Sequence, residues 1–211
     1  MTGRHQDTGV PLHKMQAIPN NLTIFHHKKE QPLRWIEVVE PLLRDGLPLW
    51  KEHPELGAKV DFVALPLTQL RDVQMHPYDP SKPSEFEHGT LYETISVGPA
   101  DPVSVIGFPF GMTAGGKLPI WATGSLATEP IVSFRDLPLS LVDCRTRPGQ
   151  SGSPVIAYRN RGVTPTTDGG ATDFGYPAWQ FLGIYSGRIN AESDLGMLWK
   201  AQALAQLIES M

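Results

Sequence analysis

The sequence predicts an all-β protein in two halves, closed by one C-terminal helix. Three observations predict it. Of the 211 residues, 20 are Gly and 20 are Pro, spread along the chain rather than bunched. Short β-rich runs lie between them, among them LTIF, VDFVALPL, VSVIGFPF, PIWATGSLAT and FLGIYSG. Many short strands separated by turn formers are the pattern of sandwiches and barrels. The tail LWKAQALAQLIESM is different: Leu198, Ala201, Leu204, Ala205 and Ile208 fall at helical spacing with no Gly or Pro inside. A chain of this length can bury a core as one large domain or two small barrels.

Taken in order, residues 1–20 carry turn formers without a period and read as loop. LTIFHH (22–27) alternates, placing Leu22, Ile24 and His26 on one face and Thr23, Phe25 and His27 on the other. WIEVVEPLL (35–43) reads as a strand ended by Pro41, and KVDFVALPL (59–67) as one ended by Pro66. The proline-rich, charged MHPYDPSKPSEFEHGT (75–90) reads as an exposed connection. The domain limits expected are therefore 1–78, a connection at 79–90, and 91–211. Strands are expected in the second half at 91–97, 103–108, 119–127, 131–134 and 139–144, in VIAY, and at 179–189. Between the last two, residues 160–176 are rich in Thr, Gly and Asp and read as a polar segment.

Charge and cysteine content narrow the class. A net charge of −4 makes no electrostatic case for nucleic acid or an anionic membrane as partner. No apolar run approaches a membrane span, and MTGRHQDTG is too polar for a signal peptide. The single cysteine, Cys144, excludes an internal disulfide and fits a reducing compartment, so a soluble cytoplasmic protein is expected. No cofactor and no metal site is expected. The adjacent His26 and His27 point to opposite strand faces and are poorly placed to share an ion.

One loop carries chemistry. In Gly149-Gln150-Ser151-Gly152-Ser153-Pro154-Val155, Gly149 lets a substrate approach the backbone, and the N–H groups of Gly149 and Ser151 can point to one spot. Gly152 clears space beside Ser151, and Pro154 starts a strand where no ladder donor is needed. The same residues also make an ordinary turn. A serine nucleophile further requires a histidine base oriented by a carboxylate.

This loop resembles the nucleophile loop of trypsin-like serine peptidases, in which Gly-x-Ser-Gly-x-Pro recurs. Asp61 in VDFVALPL resembles that family's Asp-(aliphatic)-Ala-Leu strand, which carries the orienting carboxylate, and it precedes Ser151 by 90 residues. IGFPFG (106–111), followed by ATGSLAT, resembles the start of the second barrel in bacterial glutamyl-endopeptidase and heat-shock-protease relatives. FLGIYSG (181–187) resembles the strand that pairs with substrate backbone, with Ser186 at the family's usual serine. The likeness covers most of residues 56–211.

The resemblance implies two six-stranded β-barrels of the chymotrypsin fold, the first one incomplete, and the C-terminal helix. It implies a peptide or protein substrate, with Ser151 and Asp61 catalytic, Gly149 and Ser151 as oxyanion donors, and Ser186 and Gly187 in contact with substrate. Arg145 and Arg147 fall where the fold builds its primary specificity pocket. There Arg145 can favour acidic side chains, or the two arginines can be surface partners of Asp143 or Asp136. Gln150 stands where animal members carry the Asp that pairs with a freshly cleaved N-terminus, so activation by that ion pair is not available.

No histidine has the family's setting. His76 and His88 follow Asp61, His53 precedes it by only eight residues, His26 and His27 lie mid-strand, and His5 and His13 sit in a polar loop. Some bacterial members run a strand ending Asn-Trp-His-Val-Val into Thr-Gly-Arg and later carry Pro-x-Trp-x-Glu-His-Pro. This chain opens Met1-Thr2-Gly3-Arg4 and has Pro48-Leu49-Trp50-Lys51-Glu52-His53-Pro54. The likeness implies a catalytic histidine just upstream of Met1, through a start codon assigned too late or a true truncation. Three functions follow as expectations: a serine endopeptidase whose base is missing from this chain, a catalytically inactive peptidase fold that binds peptide segments, or an unrelated β-barrel whose GQSGSPV is only a turn. The oligomeric state is left open.

Overall fold

The structure, a computed structural model, describes residues 10–11, 13–15, 17–80 and 95–211. It divides into two compact units. One holds the described residues up to Glu52 together with Val63–Met75; the other holds His53–Phe62 and the described residues from His76 onward. The segment that carries Asp61, expected in the first half, thus belongs with the second.

In the first unit, β1 (Asn21–Lys28) and β2 (Gln31–Pro41) form an antiparallel hairpin with Phe25 opposite Glu37 and His27 opposite Trp35. The expected alternation holds only at the centre, with Ile24 and His26 half-buried and Phe25 exposed; Leu22 is exposed and His27 half-buried. β3 (Leu43–Arg44) pairs with β4 (Leu47–Pro48) across a turn in which Asp45 and Gly46 both take positive φ. Among the described residues of this unit no sheet closes into a barrel. Glu40 is buried. Its carboxylate accepts the Thr68 N–H (2.9 Å), the Thr68 hydroxyl (2.8 Å) and the Gln69 N–H (3.0 Å).

The second unit is built on a closed antiparallel barrel of six strands. They are β5 (Pro102–Gly107), β6 (Ile120–Leu126), β7 (Leu139–Asp143), β8 (Pro154–Arg159), β11 (Ala178–Arg188) and β12 (Leu195–Lys200), in the order β11-β12-β7-β6-β5-β8. Alternate residues point inward. Val103, Val105, Leu126, Val142, Val155, Ala157, Tyr185 and Leu198 meet inside, with Ile95 and Phe174 packed on them. The helix α1 (Ala201–Glu209) follows β12 directly. Ala203 and Leu207, one turn apart, are its buried positions, while Ile208 is exposed and Leu198 belongs to β12. The apolar face expected from spacing is therefore rotated, because the chain enters the helix three residues later than the period suggests.

Two expected strands do not form. KVDFVALPL starts at the last residue of a short 3-10 turn (Gly57–Lys59) and makes one isolated bridge, Ala64 to Lys51. Its apolar residues read as a ladder, but Phe62 is spent packing on Trp199, with ring centroids 5.4 Å apart. Residues 131–134 give a turn and the start of a 3-10 segment (Phe134–Asp136), with Ile131 and Val132 exposed. Conversely, the polar segment 160–176 holds a hairpin, β9 (Gly162–Pro165) with β10 (Ala171–Phe174). Of the expected strand 91–97, residues 91–94 lie outside the described residues, as does 81–90 of the connection; Ile95 forms a bridge with Thr166.

Candidate active site

All the candidate site residues fall in the second unit, around the end of β11. One irregularity in this strand matters. Its pairing with β12 runs from Tyr185 opposite Leu198 to Gly187 opposite Met197, leaving Ser186 as the extra residue of a bulge. A bulge breaks the inside–outside alternation and re-aims a side chain. Tyr185 therefore stays in the barrel core, while Ser186 turns its hydroxyl to Asp61 Oδ2. The other oxygen, Asp61 Oδ1, accepts the indole N–H of Trp199 on β12. The Asp61 carboxylate is thus fixed by two donors from the barrel wall while remaining exposed.

Ser151 arrives on the loop between β7 and β8. Its hydroxyl donates to the main-chain carbonyl of Ser186. One residue thereby gathers both candidates, Asp61 through its side chain and Ser151 through its backbone. The two meet there across 90 positions of sequence.

The loop itself is braced on three sides. Gly152 N–H donates to Tyr185 O (2.7 Å), and Tyr185 N–H to Ser153 O (2.8 Å), so the loop continues the β11 ladder. Phe110 N–H donates to Pro148 O (2.6 Å), which ties in the GFPFG turn. At its root the buried hydroxyls of Thr146 and Tyr185 are hydrogen-bonded. Burial pushes the Tyr185 phenol above its ordinary pKa, an effect only partly offset by Thr146.

Gly149 has φ +96 and Gly152 φ +83, conformations that disfavour any side chain. Among the described residues, no protein acceptor takes the Gly149 or Ser151 N–H. Two unclaimed donors beside an exposed serine hydroxyl are the arrangement that receives an oxyanion.

The other expected site residues are placed as follows. Gly187 is half-buried in β11, and from Ser186 to Arg188 the ladder, among the described residues, uses one edge only, toward β12. Arg145 is fully out in solvent, its side chain 86% exposed, and its Nε lies 4.0 Å from Asp194 rather than near Asp143 or Asp136. Such a pair contributes little. Arg147 is half-buried and donates to Thr146 O at 2.9 Å. Cys144 is buried, its thiol donating to Ala122 O at 3.3 Å. Burial, with Asp143 and Asp194 nearby, pushes the thiol up and away from nucleophilic use. Among the described residues no cluster of His, Cys, Asp and Glu can hold a metal, and no helix is long and apolar enough to cross a membrane.

Within the second unit no described histidine bonds to Ser151 or Asp61. His53 lies edge-on to Phe62, with ring centroids 6.1 Å apart. Its Nδ1, however, accepts the N–H groups of Glu55 and Leu56, both at 3.2 Å, and its carbonyl accepts the Gly57 N–H at 2.9 Å. An imidazole with Nδ1 engaged as an acceptor cannot donate that nitrogen's proton to Asp61. His53 is a turn cap.

Trp199 escaped the sequence reading because nothing local distinguishes it from a core aromatic. The same holds for the inward role of Gln150, whose side chain is fully buried. No protein-family model matches this chain, and no curated protein matches it.

Proposed function

We propose that this protein is a serine endopeptidase of the trypsin-like, chymotrypsin-fold kind, whose second unit carries Ser151 as nucleophile, on a loop of the closed barrel, and Asp61 as orienting carboxylate, on the segment packed beside it. The observation that supports it best is the convergence of the two on Ser186. In the reaction, Ser151 Oγ bonds to the substrate carbonyl carbon, and the displaced electron pair settles on the carbonyl oxygen between the Gly149 and Ser151 N–H groups. The Ser151 proton passes to an imidazole and from there to the amine as the C–N bond breaks, while Asp61 stabilises the imidazolium; water, giving its proton to the same imidazole, then attacks the acyl-enzyme, and Ser151 leaves with that proton. The free edge of Ser186–Arg188 suits a substrate segment added as a strand.

Neither described histidine of the second unit, His53 or His76, bonds to Ser151 or Asp61, so the imidazole comes from elsewhere. Ser151 otherwise leaves its proton on an amide carbonyl, which is far too weak a base to remove it. Loss of the histidine from a triad costs about 10⁶ in turnover. The test is labelling of Ser151 by a fluorophosphonate in this 211-residue chain, with and without added imidazole. Slow labelling accelerated by imidazole, absent in Ser151→Ala and blunted in Asp61→Asn, is the expected result. Imidazole that accelerates Asp61→Asn as much as the parent chain overturns the pairing. Fast labelling without imidazole places the base inside this chain, and His5→Ala and His88→Ala then identify it.

A second reading has its own observation. Ser151 is tied to a backbone carbonyl while a strand edge stands open beside it, which is a geometry for binding peptides without cutting them. Peptide affinity that persists in Ser151→Ala, with no hydrolysis by the native gene product, selects that reading.

A further inference from the structure

We infer that Gln150 is the positioning residue of the oxyanion site, an inference that rests on the peptidase reading above. Its side chain is fully buried although it is an amide on a surface loop. Its Oε1 accepts the Arg147 N–H at 2.7 Å, and its own N–H donates to Arg147 O at 3.2 Å. The same residue thus closes the Arg147–Gln150 turn twice, once through the backbone and once from inside through the side chain. Its carbonyl then accepts the Ser153 N–H at 3.0 Å, which locks the following turn as well.

What lies between these closures is Gly149 at φ +96, a conformation the chain leaves readily unless it is held. Rotation of the peptide linking Pro148 and Gly149 turns the Gly149 N–H away from the Ser151 N–H and empties the site of one donor. The bond from Gln150 Oε1 holds the residue two positions before Gly149. The bond from Phe110 N–H to Pro148 O holds the rotating peptide's own oxygen. An ordinary turn of this composition needs no buried side chain to close it. This one places a glutamine inside, at the cost of leaving its Nε2 without a partner. A charge at this position would need a counter-ion; a neutral amide holds the loop with none.

The test begins with residue-resolved amide exchange on the whole chain. The Arg147 amide is expected to be protected while those of Gly149 and Ser151 exchange fast; an Arg147 amide as fast as Gly149 overturns the inference. Gln150→Met then keeps the side chain's size and removes the acceptor. It is expected to lose Arg147 protection and to slow imidazole-assisted labelling of Ser151 by about 10- to 100-fold, somewhat less than full loss of an oxyanion donor. Gln150→Glu retains an oxygen at the same reach but carries a charge with no counter-ion, so it is expected to lose both at neutral pH and to regain Arg147 protection in acid, where the carboxyl is neutral; no protection there overturns the inference. Lost protection with an unchanged labelling rate overturns the positioning role. If the parent chain is not labelled at all, the peptidase reading fails on its own, and the exchange pattern still decides whether Gln150 holds the loop. Should Gln150→Met not fold, the parent exchange pattern and Gln150→Glu carry the decision.

Discussion

Replacing Gly149 by alanine tests the loop geometry in one step. An added Cβ lies 2.6 Å from the carbonyl oxygen of Phe108 and 3.2 and 3.3 Å from the nitrogens of Gly111 and Phe110. All three are backbone atoms, so no side chain can swing away to relieve the contact. At φ +96 an L-residue carries about 1–2 kcal/mol of local strain. Pushing the Phe108–Gly111 turn outward strains or breaks the Phe110 to Pro148 hydrogen bond, worth about 1 kcal/mol. The total is about 2–3 kcal/mol, which for a protein of this size lowers Tm by about 4–12 °C. Well below the new Tm, where the variant is still folded, labelling of Ser151 with imidazole present should fall by about 10²- to 10³-fold, the effect of losing one oxyanion donor. Thermal denaturation and labelling at 20 °C below the midpoint measure the two effects separately. A variant with an unchanged Tm refutes the close packing, and one that is destabilised but labels at the parent rate refutes the role of the Gly149 N–H.

Trp199→Phe keeps the edge-to-face contact with Phe62 and deletes the donor to Asp61 Oδ1. It should cut imidazole-assisted labelling several-fold and leave Tm within a few degrees, and the same pair of measurements checks it. Gly183→Ala should leave the protein in the insoluble fraction on expression. Its φ is +140 and the new methyl overlaps the Trp199 carbonyl inside the barrel wall, a cost above about 4 kcal/mol. For Glu40, burial pushes the carboxyl up, but hydrogen bonds from Thr68 and Gln69 and the nearby His26 outweigh it and hold the pKa below the ordinary value. Near and below that value, about 4.3, the unfolded chain binds the proton more readily. Glu40 therefore stabilises the first unit above that pH and loses its effect as the pH falls through the folded value. Urea midpoints taken from pH 6 down to pH 3 should fall more steeply for the parent chain than for Glu40→Gln.

The strands of the second unit were legible because their residues obey local rules. VSVIG and LSLVD are short, β-branched or aliphatic and bounded by Gly, Pro and Asp, and they form β5 and β7. The GQSGSPV loop was legible for a similar reason, since glycines mark the positions of positive φ. What failed was long-range. KVDFVALPL carries every local mark of a strand, yet the ladder needs a partner, and tertiary contacts use Asp61 and Phe62 instead. The β9–β10 hairpin was hidden by polar composition, although Thr164 and Thr166 are buried. The helix α1 was found, but its buried face was displaced, because no signal in LWKAQALAQL says where strand ends and helix begins.

The bulge at Ser186 explains why the candidate site needs the barrel. In a regular ladder a residue on β11 would give its backbone to β12 and its side chain to one face only. As the extra residue between two paired ones, Ser186 is released from the register. Its hydroxyl reaches Asp61, and its carbonyl is open to the Ser151 hydroxyl. Trp199, opposite Ile184 on the neighbouring strand, fixes the other carboxylate oxygen from the same wall. The placement of the carboxylate relative to the serine hydroxyl therefore runs through one residue and two hydrogen bonds, anchored on a barrel strand rather than on two loops meeting in solvent. In the proposed reaction a base has to fit beside these contacts and compete with them for the Ser151 proton and the Asp61 carboxylate.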